Sequence, residues 1–335
     1  MRLILCAAFM PKPKPQALTQ KNPGKLAQLI RLREGYVPSS DGTNIYYKSV
    51  GFGFPILLCN GMGVSTFFWK YLENAFKNHF QVITWDYRGH GRSAQPKDPD
   101  NVSVQALVED CKAVIDELKV KKALFIGHSL GTQVVLEFYR RHARHVAGIV
   151  SCLGTFGRPM DYFYNSPLSK YIFEIFTSLG VLFPKQSNFV SQLLIRNPFW
   201  YQLGGLLKMI NTGMASKADA QLYVDHILSL EPSFFVKLSR SVQNHTAEDM
   251  LKKIKVPTLI IGADNDTFTP VWLAKKMHRV VPKSEMIIIK NGSHAALVEQ
   301  PELINLRIEK FLRERILPFN AVGKDPLAKL AEEAS

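Results

Sequence analysis

The chain has 335 residues, a net charge of +14, 46% hydrophobic residues and 21% charged ones, a balance that excludes wholesale disorder and suits a globular protein with a large core. Length alone suggests about two domains, or one domain carrying an insertion. No apolar stretch approaches the roughly 20 residues of a membrane-spanning helix, and the basic residues form neither a concentrated face nor a recognisable nucleic-acid module, so nucleic acid is not an expected partner.

The first 34 residues carry Arg2, Lys12, Lys14, Lys21, Lys25, Arg31 and Arg33 against Glu34 alone. Such a leader can approach an anionic membrane surface, though only composition points there, and a solvated, flexible arm is the favoured reading. Met1-Arg2 followed by Leu3 to Met10 imitates a secretory signal. The run is short, and no small-x-small cleavage site precedes Pro11-Lys12-Pro13-Lys14-Pro15, so a cleaved signal is disfavoured and Met10 stands as an alternative start. The Pro/Lys segment is predicted to be extended. Lys25 to Arg33 is predicted as a short basic amphipathic helix, with Leu26, Leu29 and Ile30 on one face. The four cysteines, Cys6, Cys59, Cys111 and Cys152, are far apart and lack C-x-x-C spacing, which argues against a zinc site or redox pair. They favour a reducing compartment weakly; cytoplasmic residence is the favoured expectation, and secretion or membrane association are the alternatives.

From residue 35 strands and helices alternate. Strands are predicted at Asn44 to Val50 and Pro55 to Cys59, separated by the Gly51-Phe52-Gly53 turn, which is no nucleotide-binding loop because no helix opens behind it. Then follow helix Phe67 to Asn78, strand Gln81 to Trp85, helix Val102 to Lys119, strand Ala123 to Ile126, helix Leu130 to Arg141 and strand Val146 to Cys152. Short Val/Ile-rich runs between helical periodicities imply a doubly wound, mostly parallel α/β sheet covered on both faces. At about Phe156 the rhythm breaks, and residues 156–250 read as helices rich in Phe, Tyr and Leu. Alternation resumes with strand Thr258 to Gly262, helix Val271 to Val280, strand Met286 to Ile289 and helix Pro301 to Arg315. The tail 317–335 is polar and predicted to be loosely attached. The expected organisation is therefore a leader (1–34), a core (35–155 and 251–316) and a helical insert (156–250).

One motif in this frame carries chemistry. Gly127-His128-Ser129-Leu130-Gly131 is a G-x-S-x-G pattern between a predicted strand and a predicted helix, the setting in which a sharp, strained turn lifts a serine hydroxyl clear of a sheet. A serine hydroxyl is a poor nucleophile and needs a base, itself oriented by an acid. Two segments beyond later strands offer them: Asp264-Asn265-Asp266-Thr267-Phe268-Thr269-Pro270 and Asn291-Gly292-Ser293-His294.

With Asn60-Gly61-Met62-Gly63 and Asp86-Tyr87-Arg88-Gly89-His90-Gly91-Arg92-Ser93 added, the chain resembles the α/β-hydrolase superfamily over roughly residues 36 to 316, and in particular its capped, esterase- and lipase-like serine members. The resemblance implies that Ser129 is the nucleophile, His294 the general base and Asp266 the orienting acid, since the family places that acid four residues before a proline. Asp264 is the alternative acid. It implies an oxyanion hole from the backbone N–H groups of Leu130 and Met62, although Asn60 stands where the family commonly has histidine. It makes the insert after the family's sixth strand a cap, whose aromatics, Phe173, Phe176, Phe199 and Trp200 among them, are expected to line an apolar acyl site. Helical caps also need aromatics for their own core. His128 reads as a structural or pocket-lining neighbour, and Arg88 and His90 as holders of their loop. No cofactor and no metal are implied. The expected reaction is hydrolysis of a small carboxylic ester with an apolar acyl group. The alternatives are C–C bond, thioester or lactone cleavage, perhydrolysis, or non-catalytic ligand binding on the same fold. Epoxide hydrolases and dehalogenases normally use aspartate as nucleophile, so Ser129 argues against them. Oligomeric state is left open.

Overall fold

The computed structural model describes residues 31–317, except 184, 187, 188, 190, 191, 194, 195 and 198. The predicted signal-like run, the Pro/Lys segment, most of the Lys25 to Arg33 helix and the tail from 318 lie outside the described residues. Strands are β1 (Leu32–Pro38), β2 (Asn44–Val50), β3 (Pro55–Cys59), β4 (Gln81–Trp85), β5 (Ala123–His128), β6 (Val146–Cys152), β7 (Thr258–Ala263) and β8 (Ser284–Ile289). They form one sheet in the order β1-β2-β4-β3-β5-β6-β7-β8. β1–β2 and β2–β4 pair antiparallel, and every other pair is parallel.

Leu32 to Glu34, predicted as the end of the leader and in part helical, are strand. β1 lies antiparallel on β2 from Leu32↔Val50 to Pro38↔Asn44. Its side chains are nearly all exposed, Val37 alone being buried. An edge strand held by its ladder shows no apolar alternation, which is why periodicity missed it.

The central strands are apolar on both faces. Ile56, Leu57, Leu58 and Cys59 of β3 are all fully buried, as parallel strands between two helical layers must be. One layer contains α2 (Val104–Glu117), α3 (Leu130–His142) and α8 (Val271–Val280); the other contains α1 (Lys70–Phe76) and α9 (Pro301–Phe311). Each fully buried Leu, Ile or Phe contributes about 1.5–3 kcal/mol relative to exposure. α2 opens on Ser103, whose hydroxyl accepts the Ala106 N–H at 3.0 Å.

Between β6 and β7 the described residues form turns and helices: α4 (Ser169–Leu182), α5 (Trp200–Leu206), α6 (Lys217–Ser229) and α7 (Pro232–Asn244). α7 begins with Pro232 at its first position, and the Glu231 carboxylate accepts the Ser233 and Phe234 N–H groups. The ends of this insert meet at a bridge between Gly157 and Thr246, and the Ala247 N–H donates to the Phe156 carbonyl at 2.7 Å. Among the described residues no helix is long and apolar enough to cross a membrane. The chain runs from β3 to β4 on one side and then crosses to β5 on the other, so the loops after β3 and β5 flank the crevice where open α/β sheets bind ligands.

Candidate active site

Ser129 sits at that crevice, between the end of β5 and the start of α3, with φ 53° and ψ −117°. This is strained backbone for a residue with a Cβ. The strain is enforced by crowding. A Cβ at Gly127 would lie 2.4 Å from the Gly131 backbone, and one at Gly131 would lie 2.1 Å from the Cys59 carbonyl oxygen. Only glycine lets strand, helix and β3 pack this closely.

The other two groups arrive from the loops after β7 and β8. Ser129 Oγ lies 2.9 Å from His294 Nε2, and His294 Nδ1 lies 2.9 Å and 3.1 Å from the two carboxylate oxygens of Asp266. The Asp266 side chain is fully buried. It also accepts the Phe268 N–H (2.8 Å), the Thr269 N–H (2.9 Å) and the Thr269 hydroxyl (2.7 Å). With an acceptor on the Nδ1 side, the imidazole carries its proton there and turns a lone pair toward Ser129. Asp264 is elsewhere, 3.7 Å from Lys290 Nζ on the surface.

Met62 and Leu130 line the same cavity as Ser129 and His294. Leu130 is the first residue of α3, where a backbone N–H has no intrahelical acceptor. The Asn60 departure has a physical account. Its amide donates to the Trp85 carbonyl at 2.8 Å and accepts from Trp69 Nε1 at 2.6 Å, and its own carbonyl accepts the Tyr87 hydroxyl at 2.7 Å. The far end of this loop is held by His90, whose Nε2 accepts the Gly63 N–H at 3.3 Å while its Nδ1–H donates to the Arg88 carbonyl at 3.2 Å. Burial pulls the His90 imidazole down to about 4, so it is neutral. Arg88 is buried against Asp110 and Asp41 at 2.5–2.8 Å, fixing the loop after β4. His128 is buried too, 3.1 Å from the His294 carbonyl oxygen through Nε2. Burial, with His294 beside it, pulls it down to about 3.

Two further residues at the site were not singled out in the sequence. The Phe268 ring stacks on His294 at 4.7 Å. Glu299 is buried, accepts the Ser293 N–H at 2.8 Å and the Asn211 N–H at 2.7 Å, and so ties the His294 loop to the insert. Phe268 lay inside the acid segment and was legible as its neighbour; Glu299 had no motif around it.

A cavity of about 490 Å³ opens over Ser129 and His294. Its walls are mainly apolar, with Val64, Leu222, Ile227, Phe235 and Val298 among them, and polar groups are few. Lys70 pairs there with Asp219 of α6, which also accepts the Tyr71 hydroxyl at 2.7 Å. Of the four insert aromatics expected at an acyl site, Trp200 lines this cavity. Phe173, Phe176 and Phe199 do not: Phe176 and Phe199 are exposed at 54% and 67%, and Phe173 is half-buried away from it. α4 turns Ser169, Thr177 and Gly180 inward and contributes no residue to the cavity wall, and Phe199 stands just before α5 with its ring exposed. Among the described residues no cluster of His, Cys, Asp or Glu is placed to hold a metal ion.

A family profile described as alpha/beta hydrolase fold matches residues 55–301. The chain is 24% identical over 277 residues to the AB hydrolase superfamily protein YisY of Bacillus subtilis, covering 82% of this chain and 98% of that one. It is 26% identical over 292 residues to the bifunctional esterase/perhydrolase DCH of Acinetobacter calcoaceticus, covering 83% and 99%. Among solved structures, an esterase from Exiguobacterium antarcticum matches with a TM-score of 0.70 and 18% identity, over 84% of this chain and 99% of that one.

Proposed function

The chain belongs to the α/β-hydrolase-fold family, and on that premise we propose that it is a serine hydrolase cleaving a carboxylic ester with an apolar acyl group. The observation that carries this reading is the hydrogen-bonded run Ser129–His294–Asp266 at the floor of an apolar cavity. In the proposed reaction Ser129 Oγ attacks the ester carbonyl carbon and its proton passes to His294 Nε2. Asp266 holds the imidazole in the required tautomer and stabilises the imidazolium. The tetrahedral oxyanion accepts from the Leu130 and Met62 N–H groups. Collapse breaks the C–O bond, and the alcohol leaves with the proton from His294. Water, deprotonated by His294, then attacks the acyl-enzyme, and the carboxylic acid departs as Ser129 recovers its proton. The relative from Acinetobacter calcoaceticus, named an esterase/perhydrolase, supports this chemistry class.

The test is hydrolysis of p-nitrophenyl butyrate together with labelling by a fluorophosphonate probe. Ser129→Ala should abolish labelling and lower kcat by roughly 10⁴ to 10⁶. A Ser129→Ala protein as active as wild type would overturn the assignment. Folded wild type that neither hydrolyses esters nor takes the probe would move the protein to the ligand-binding reading.

A further inference from the structure

Surface helices ordinarily turn their large apolar side chains inward. α4 does the reverse. Its buried positions are Ser169, Thr177 and Gly180, and Gly180 approaches α7 so closely that a Cβ there would lie 3.1 Å from Val236 Cγ2. Outward, at three- and four-residue spacing, stand Leu168, Ile172, Ile175, Phe176, Leu179 and Leu182, most of them more than 60% exposed. On α5, Leu203 and Leu206 are exposed as well, while Trp200 and Gly204 of the same helix line the cavity. A row of exposed apolar side chains running the length of α4 marks an interaction surface rather than scattered exposure.

Charge decides among occupants. Between residues 166 and 210 the ionised side chains are Lys170, Lys185, Arg196 and Lys208 against Glu174, in a chain of net charge +14. Packing this face on a second copy would bring basic residues against basic residues. A bilayer containing anionic lipid accepts both features, with apolar side chains entering the headgroup–acyl boundary and lysines staying at its negative surface. We infer that the outer face of α4 and α5 docks the protein on anionic membranes. On α5 the docked side is then the reverse of a helix that lines the cavity through Trp200 and Gly204. Binding is read without catalysis, so this inference and the esterase reading fail separately.

The experiment uses the full chain and vesicles of phosphatidylcholine and phosphatidylglycerol in a two-to-one mixture, followed by co-sedimentation at low and high salt. Wild type should partition onto these vesicles and less onto pure phosphatidylcholine, with salt weakening the binding. The triple variant Ile172→Glu, Ile175→Glu, Leu182→Glu should lose at least about tenfold in partitioning with unchanged circular dichroism and unchanged hydrolysis of a soluble acetyl ester. Lys170→Glu with Lys185→Glu, which leaves the apolar stripe intact, should weaken binding severalfold at low salt only. Equal partitioning by wild type and the triple variant would overturn the inference, because the leader would then account for the binding. So would a failure of wild type to bind, or a dimer in light scattering that the triple variant dissolves.

Discussion

Replacing Asn60 with alanine tests how the loop beyond β3 is held. The Asn60 side chain is completely buried and bonds on both sides, to the Trp85 carbonyl and to Trp69 Nε1–H. Truncation leaves one buried acceptor and one buried donor without partners. Each such orphan costs about 1–3 kcal/mol, so the expected destabilisation is about 2–6 kcal/mol, a large share of the 5–15 kcal/mol typical of a folded protein. At roughly 2 °C per kcal/mol for a large domain, Tm should fall by about 4–12 °C. The same loop carries Met62, one of the two proposed oxyanion donors. Loosening it should lower kcat by up to about 10²–10³, the cost of losing one such donor, with KM changed far less because the ground-state carbonyl uses it little. Thermal melting followed by scanning fluorimetry, with kcat and KM on p-nitrophenyl butyrate below the melting range, reads both effects. An Asn60→Ala protein with wild-type Tm and wild-type kcat would refute the reasoning.

Asp266→Asn should cost nearly as much activity as breaking the hydroxyl–imidazole pair, whereas Asp264→Asn should keep most of it; a loss confined to Asp264→Asn would reverse the assignment. Lengthening the acyl chain from two to six carbons should raise kcat/KM by up to about 100-fold, at about 0.8 kcal/mol per buried methylene. Trp200→Ala should reduce that preference while Phe199→Ala leaves it intact, and a steady decline from acetyl upward would remove the apolar acyl site. His90, pulled down to about 4 by burial, gives a pH prediction. Its folded-state value lies below the ordinary 6.5, so the unfolded chain binds more protons between these limits. Its contribution, about 3 kcal/mol, is complete above pH 6.5 and lost as pH falls toward 4. Tm measured across that window should therefore drop, and His90→Asn should flatten the slope; an unchanged slope would show that His90 titrates normally.

The sheet was largely readable because its strands are short apolar runs bounded by turn residues. β2, β3, β4 and β6 were predicted with their observed ends. Ser129, Asp266 and His294 were readable as a group because the strand-bounded G-x-S-x-G motif and the segments beyond two later strands resemble those of the family. Direction is what failed elsewhere. Phe173, Phe176 and Phe199 were expected at an acyl site from the resemblance to capped members and from aromatic content, and content says nothing of which side chains of the insert face the cavity. β1 escaped because its stability lies in backbone pairing with β2. The bonds of Asn60 and Glu299 escaped because each joins elements that sequence distance keeps apart.

That distance bears on how the site comes into being. Ser129 and His294 are 165 residues apart in the chain, and the proposed acid and base stand in the loops after β7 and β8, which follow the insert and close one edge of the sheet. Contacts across such separations form late, because the chain must give up loop entropy before any of them is made. During refolding, helix content and central-strand burial should therefore recover before any hydrolytic competence does. During synthesis, where domains fold from the N-terminal end onward, a chain that has just completed its serine turn still lacks the proposed base. Competence arrives only with the last strand.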